Sequence, residues 1–586
     1  MHARTLRLLF AIGGVIQLVS CAERIPPAQK VSSPVAHVPA ESRVDQLLHQ
    51  AWAKAGIETA PRSTDAHFLR RVYLDTIGTL PTEMDAREFL LSQSPTKRQD
   101  LVERLLASPD YAKHWAVYWD DVLMGQRTKP QIVDRHAFVG FLHEEFKRNQ
   151  AWNELAYRIV SAEGQNTDGT TRPRDNMAPW VGVETAPSKD VNGAVNWYLR
   201  FDNPQDAAGS ASRAFLGVQI QCAQCHDHKT ESWKQRDFNQ LAACFARSRI
   251  QPITDMGMGM GGMKRVRIDE VPRVVPRVRG DKEMRDVTNA TPKALDGTSF
   301  EHERNVRKAL AAWITATENP WFARAVVNRM WGHYLGRGFV DPVDDLRPSN
   351  TPEAPELFDA ITQDFVEHKF DLKHLLRTII LSDAYQRAAS PAQNDQLWSH
   401  FRTAPLGPYE LVHSIARASD LEATLESQNV DLSSVYLAVA SYYSFLFDVD
   451  EEFDKEQFEG SISQSLALLN GSLTGVASTA LPSSALEAAL EHKSERERIE
   501  SLYLRTLSRF PTLPETNFWI AYIERPQPTT RPMKGGQGKA LPKPSRPDPL
   551  LRIEVRSQRK PADATTRAYE DLLWTLLNST EFGLNH

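Results

Sequence analysis

Cysteine is nearly absent, four in 586 residues. That excludes a scaffold stapled by several disulfides. No charge of one sign dominates, since 69 Lys+Arg stand against 74 Asp+Glu for a net of −5. A chain so balanced has no global basic field for nucleic acid and no acidic solvating tail, so no nucleic-acid partner is expected. Beyond the first twenty or so residues, no apolar run approaches the ~18 that a membrane-crossing helix needs. No repeat period is present. Gly-x-Ser-x-Gly, a Walker loop, His-Glu-x-x-His and a dinucleotide fingerprint are all missing. What is there is a core-forming composition: 41% apolar and 24% charged residues, with thirteen Trp.

The start of the chain points to export. His2, Arg4 and Arg7 precede an apolar run from Leu8 to Leu18, too short to span a bilayer. The run ends in Leu18-Val19-Ser20-Cys21, which resembles the bacterial lipobox, whose Cys becomes the lipidated first residue of the mature protein. Residues 1–20 are thus expected to be a lipoprotein signal peptide and Cys21 the lipidation site; an ordinary signal peptide is the alternative. The expected place is the cell envelope, on the periplasmic side, with the membrane as partner through the anchor. Residues 21–40, with Pro26, Pro27, Pro34 and Pro39, read as a semi-rigid tether.

From about residue 41 the pattern is mainly α. His67–Ile77 has apolar residues at helical spacing, closed by Gly78 and Pro81. Thr82 stands three before Asp85, a capping pair, and Ser108-Pro109-Asp110 opens an aromatic-rich helix. The expected fold is a multi-helical two-part body, 41–250 and 301–586. Between them lies a Met/Gly loop and extended linker, 251–300, in which Val266–Arg279 reads as a small β or linker segment. Residues 165–210 read as loop. A Pro/Lys/Arg-rich insertion at about 525–562 reads as exposed.

The most chemical residues are Cys222-Ala223-Gln224-Cys225-His226-Asp227-His228. Cys-x-x-Cys-His is the attachment pattern of c-type haem: two thiols form thioethers and His226 supplies the proximal iron ligand. Three other readings stand beside it. Cys222 and Cys225 can form a disulfide; they can bind zinc with Cys244 and His226 or His228; or they are plain core thiols. Met256, Met258, Met260 and Met263 offer thioethers that could cap a haem iron or bind Cu(I), or they simply sit in a surface loop. His228 is a further metal-ligand candidate.

Beside these residues the chain resembles a family pair. Arg70-Arg71-Val72-Tyr73-Leu74-Asp75-Thr76-Ile77-Gly78, Leu105–Tyr111, Val218–Lys229 and Ala242-Ala243-Cys244-Phe245 are similar to the planctomycete cytochrome C domain. Asn319–Trp331 and Gly336–Arg347 are similar to its usual C-terminal companion domain of unknown function, as are Leu466–Gly471 and Asp571–Ser579. The resemblance implies a single haem c, electron transfer or haem-ligand binding, and an external redox partner protein. Many relatives carry a separate N-terminal cytochrome domain, for which residues 22–40 are too short. Some longer relatives carry carbohydrate-binding modules, so polysaccharide is a partner by family association only. The alternative function is a non-redox scaffold or polysaccharide-handling protein whose Cys-x-x-Cys is a disulfide or zinc staple.

A second polar cluster holds Asn328, Arg329, His333, Arg337, Asp341, Asp344, Asp345 and Arg347. It reads either as an acid–base or metal site, or as a buried salt-bridge network; the network is the favoured reading. Adjacent Asp344 and Asp345 would point opposite ways on an extended backbone, against a paired-carboxylate hydrolase.

Overall fold

The computed structural model describes residues 42–125, 131–169, 189–227, 231, 233–253, 264–272, 282–390, 396–427, 472–525 and 562–586. Cys21, His228, the four methionines of 256–263 and nearly all of the 525–562 insertion lie outside these residues.

Short hydroxyl side chains decide where the first helices begin. Ser42, Thr64, Thr82 and Ser108 each accept a backbone N–H, opening α1 (Arg43–Ala55), α2 (Asp65–Ile77), α3 (Glu83–Leu91) and α5 (Pro109–Met124). The Thr82–Asp85 pair is present, with Asp85 N–H 3.1 Å from the Thr82 hydroxyl. Between them runs α4 (Lys97–Leu106). Gly78 ends α2 at φ 69°, and a Cβ there would lie 2.5 Å from His114 Nδ1, so glycine is required twice over.

The next stretch holds α6 (Arg135–Lys147), α7 (Trp152–Val160), β1 (Gly164–Gln165), α8 (Val195–Leu199), α9 (Pro204–Ala211) and α10 (Gln235–Ala243). Helices α8 and α9 fall where sequence patterning suggests loop. They are five and eight residues long, too short for a helical period to stand out. β2 (Ser248–Pro252) and β3 (Val266–Glu270) follow. They form an antiparallel sheet ordered β1-β3-β2, in which Ile268 pairs with both Gly164 and Ile250. The first five residues of the extended segment expected in mid-chain, Val266–Glu270, are therefore the central strand of a small sheet; residues 273–279 lie outside the described residues.

After α11 (Lys282–Asn289) come α12 (Val306–Ile314), α13 (Phe322–Leu335), α14 (Pro355–Glu367) and α15 (Leu372–Leu381). Strand β4 (Ala404–Pro405) then leads to α16 (Pro408–Ser419) and α17 (Leu421–Ser427). The last helices are α18 (Ser472–Ala477), α19 (Ala485–Leu490), α20 (Glu495–Leu507), α21 (Leu513–Ile523) and α22 (Ala564–Leu577); β5 (Leu584–Asn585) pairs with β4. The fold is mainly α, with small sheets. No described helix is long and apolar enough to cross a membrane.

Two buried clusters hold the body together. The larger joins helices before residue 250 with those of 306–401, through residues such as Trp115, Trp152, Phe215, Phe322 and Trp331. The second gathers Leu411, Ile415, Leu502, Leu573 and Phe582. Helix α2 serves both: Phe68 and Leu69 enter the first cluster, Leu74 the second. Every residue from Phe68 to Ile77 is consequently buried, including Arg70, Arg71 and Asp75.

Each of these buried polar groups has partners. Arg70 donates to the carbonyls of Thr506 (3.0 Å), Phe582 (2.5 Å) and Leu584 (3.2 Å). Arg71 donates to the carbonyls of Tyr385 and Arg387 and lies 3.4 Å from the centre of the Phe401 ring. Asp75 accepts from the Tyr385 hydroxyl (2.7 Å) and the Asn585 amide (2.6 Å). The Arg70–Asp75 segment is thus a structural junction.

Burial pushes the Asp75 carboxyl up to about 7, against the pull of Tyr385, Arg71 and Asn585. The unfolded value is near 3.9, so between the two the native state keeps a proton that the unfolded state has released. Stability should therefore fall as pH rises from about 4 to about 7, by about 4 kcal/mol at most from this group. Burial also moves Asp120, paired with Arg135 at 2.7 Å, up to about 7, with the same sign. Asp75→Asn should accordingly remove this group's contribution, so that the variant's urea midpoint loses less than the parent's between pH 4.5 and pH 7.5. An undiminished fall in the variant would exonerate Asp75.

Candidate functional site

The backbone tightens and loosens abruptly ahead of the cysteines. Helix α9 runs into a π turn, Ser212–Leu216, closed by Gly217 at φ 64°. A 3₁₀ turn, Ile220–Gln224, follows. Its three residues per turn bring positions i and i+3 into register, so Cys222 and Cys225 share one face. Both thiols are free and exposed, whereas Ile220 and Ala223 are fully buried and anchor the opposite face. The cysteine motif therefore sits on a 3₁₀ turn rather than an α-helix.

Helix α10 clamps this turn from behind. Its first backbone N–H, Gln235, donates to the Asp227 carboxylate (3.0 Å). The Gln235 amide donates to the carbonyls of Gln224 (2.9 Å) and Cys225 (3.2 Å). From α9, Gly209 lets Gln221 approach: a Cβ there would stand 2.7 Å from Gln221 Cγ.

His226 is exposed, with Nδ1 2.8 Å from the backbone oxygen of Asp227. A carbonyl only accepts, so Nδ1 carries the hydrogen and Nε2 is left with the lone pair. Metal-binding imidazoles are commonly oriented in this way. Asp227 thus contributes its carbonyl to the imidazole and its carboxylate to the helix cap.

Cys244 does not join this group. It lies fully buried at the end of α10, with Sγ 3.6 Å from the Gln240 carbonyl. Burial pushes its thiol well above the ordinary range, which disfavours the thiolate that zinc requires. Among the described residues, no metal-spaced group contains any of the three cysteines. A zinc set of Cys222, Cys225, Cys244 and His226 is not assembled, because Cys244 faces the core.

The second polar cluster joins the first instead of forming a site of its own. Asp344 accepts from Arg213 in the π turn and from the Gln219 amide (2.7 Å), three residues before Cys222. Burial alone would raise its carboxyl; Arg213, Arg329 and Gln219 outweigh that and hold it below the usual range. Leu346 N–H donates to the Gly217 carbonyl (2.7 Å), and Ser349 donates to Glu231. Asp345 pairs with Arg347 (3.2 Å) and Arg337 with Glu353 (2.6 Å). The Asn328 amide group, fully buried, donates to the carbonyls of Val340 and Val343 and accepts from Val340 N–H. His333 meets the Tyr118 ring edge to face, centroids 4.6 Å apart. Asp344 and Asp345 are both occupied by structural partners, and they point to different ones. This is a salt-bridge network, as the sequence favours, with buried aspartates but half-exposed cationic partners.

Residues 43–250 match the family model PSCyt2, described as a protein of unknown function (DUF1549). Residues 306–435 match PSD1, likewise described as a protein of unknown function (DUF1553). The chain carries both domains. No curated protein and no solved structure matches it. The cysteine turn lies in the PSCyt2 region, and the Asp344–Ser349 loop that braces it lies in the PSD1 region. Asp344→Asn should therefore weaken the brace, costing about 2 kcal/mol of stability, read as a lower urea midpoint, and speeding proteolysis between residues 213 and 227. An unaltered cleavage rate would separate the PSD1 loop from the cysteine turn.

Proposed function

We propose that the PSCyt2–PSD1 chain is an exported envelope protein, lipid-anchored through Cys21, that carries one c-type haem at Cys222, Cys225 and His226. The observation that carries this reading is the turn itself. Two exposed thiols share one face of a 3₁₀ turn, and the next residue is an imidazole whose Nδ1 is committed to a carbonyl. The donor set fits the group: thiols for two thioethers and an imidazole Nε2 for the iron. Haem held there would supply a one-electron iron couple and, where its sixth position is open, a site for a small ligand.

What the chain itself contributes is rigidity and access. Ile220 and Ala223 hold the turn against the core, α10 caps it through Asp227, and the PSD1 loop fixes the segment leading into it. Its exposed face leaves room for an electron-transfer partner. The test is expression of the full chain in an oxidising compartment alongside haem-ligation machinery. A haem band that stays with the polypeptide on a denaturing gel supports the proposal. A colourless chain, whether its cysteines titrate as free thiols or as a disulfide, ends it and leaves the non-redox scaffold. Acyl labelling lost in Cys21→Ala tests the anchor separately.

A further inference from the structure

A second group of ligating side chains lies away from the cysteine turn in sequence and uses none of its residues. Asp364 and His368 are four apart at the end of α14, a spacing that puts both on one helix face. His374 is the third residue of α15. The connection between the helices folds back sharply, with Lys369 at φ 56° and Phe370 at φ 58°. The core holds that bend independently of the histidines: Phe370 is buried, and its carbonyl accepts Trp152 N–H at 3.0 Å. Asp371 caps α15 by accepting from Lys373 N–H (2.9 Å) and His374 N–H (3.3 Å), which fixes the backbone of His374.

The outcome is convergence. His374 Nε2 lies 2.7 Å from Asp364 Oδ2, and His368 Nδ1, which donates to the Asp364 backbone carbonyl at 2.8 Å, lies 3.3 Å from Asp364 Oδ1. The two imidazoles stack with centroids 3.6 Å apart, 15° from parallel. One ligand atom from each of the three residues falls within 4.8 Å of the others, the only such group among the described residues.

We infer that Asp364, His368 and His374 form a binding site for a divalent transition-metal ion of the zinc class. Two imidazoles with one carboxylate make a borderline donor set that suits Zn²⁺, Cu²⁺ or Ni²⁺ better than Mg²⁺ or Ca²⁺, which prefer all-oxygen surroundings. Three protein ligands leave a fourth position of a tetrahedral ion to water. His368 is exposed, so its ring can turn to present a nitrogen to the point shared by the other two ligands. The scaffold is already built, because the bend and the α15 cap rest on Phe370 and Asp371 rather than on the ligands.

The experiment is titration of the tag-free full chain with Zn²⁺ by calorimetry, in parent and in Cys222→Ser/Cys225→Ser protein. One Zn²⁺ per chain should bind in both, at least tenfold more weakly after His374→Ala or Asp364→Asn. His368→Ala alters only an exposed side chain and should keep the parent's circular dichroism while also weakening Zn²⁺ at least tenfold. X-ray absorption of the Zn²⁺-loaded cysteine variant should show nitrogen and oxygen ligands and no sulfur. Binding that vanishes with the two cysteines yet ignores all three substitutions overturns the inference. So does an absence of stoichiometric binding at 100 µM-level Zn²⁺, roughly 5 kcal/mol of affinity.

Discussion

Cys222→Ser/Cys225→Ser protein, produced beside haem-ligation machinery, should carry no haem after denaturation, whereas the parent keeps its Soret band. The two single variants separate the thioethers. Each should retain haem through one bond, in lower yield, with a reduced-pyridine spectrum between those of haem c and unattached haem. His226→Ala leaves both thiols in place on the same 3₁₀ face, so attachment should persist in part. The low-spin spectrum should nevertheless be lost, since the Nε2 lone pair that the Asp227 carbonyl sets free is gone. An unchanged spectrum in His226→Ala would move the proximal ligand to another residue. Cys244→Ser should leave haem content as it is, because the buried thiol faces the Gln240 carbonyl.

Arg70→Ala should be the most damaging single change to the fold. It removes the donor for three carbonyls, those of Thr506 and Phe582 in buried surroundings and that of Leu584 in partly buried ones. Burial brings the guanidinium down to about 10, so it is charged at neutral pH. Leaving a buried acceptor unpaired costs about 1–3 kcal/mol, so the two buried carbonyls alone amount to about 2–6 kcal/mol. That approaches the whole net stability of many domains, about 5–15 kcal/mol. Arg70→Lys should recover only part, because a single ammonium lacks the planar fork that reaches several acceptors at once. Urea unfolding followed by tryptophan fluorescence reads both. A parent-like midpoint for Arg70→Ala would mean that the three carbonyls find other donors and that α2 is not the junction described above.

Local features of the fold are legible in the sequence where the cause is local. Thr82 and Ser108 announce their helices because a cap needs only a hydroxyl and the next few amides. The cysteine turn is likewise visible as Cys222-x-x-Cys225-His226. Its 3₁₀ form is not, since it depends on the buried faces of Ile220 and Ala223 and on a clamp from Gln235. Arg70, Arg71 and Asp75 look like the polar residues of an ordinary amphipathic helix. Their burial follows from acceptors and donors hundreds of positions away, which no periodicity reports. The same holds for Asp344, whose partners Arg213 and Gln219 precede it by 131 and 125 residues. The histidine cluster lay half in view: Asp364 and His368 have helical ligand spacing, but His374 joins only through the bend at Lys369 and Phe370.

The bond from Arg70 to Leu584 spans 514 positions. At a synthesis rate of roughly 5–20 residues per second, about 25–100 s separate the appearance of the guanidinium from that of its last acceptor. Throughout that interval a growing chain holds an unmatched charge in the middle of the helix destined for its centre. The junction at α2 therefore cannot close early, and the N-terminal helices wait for the strand at Leu584–Asn585 before they reach their final arrangement.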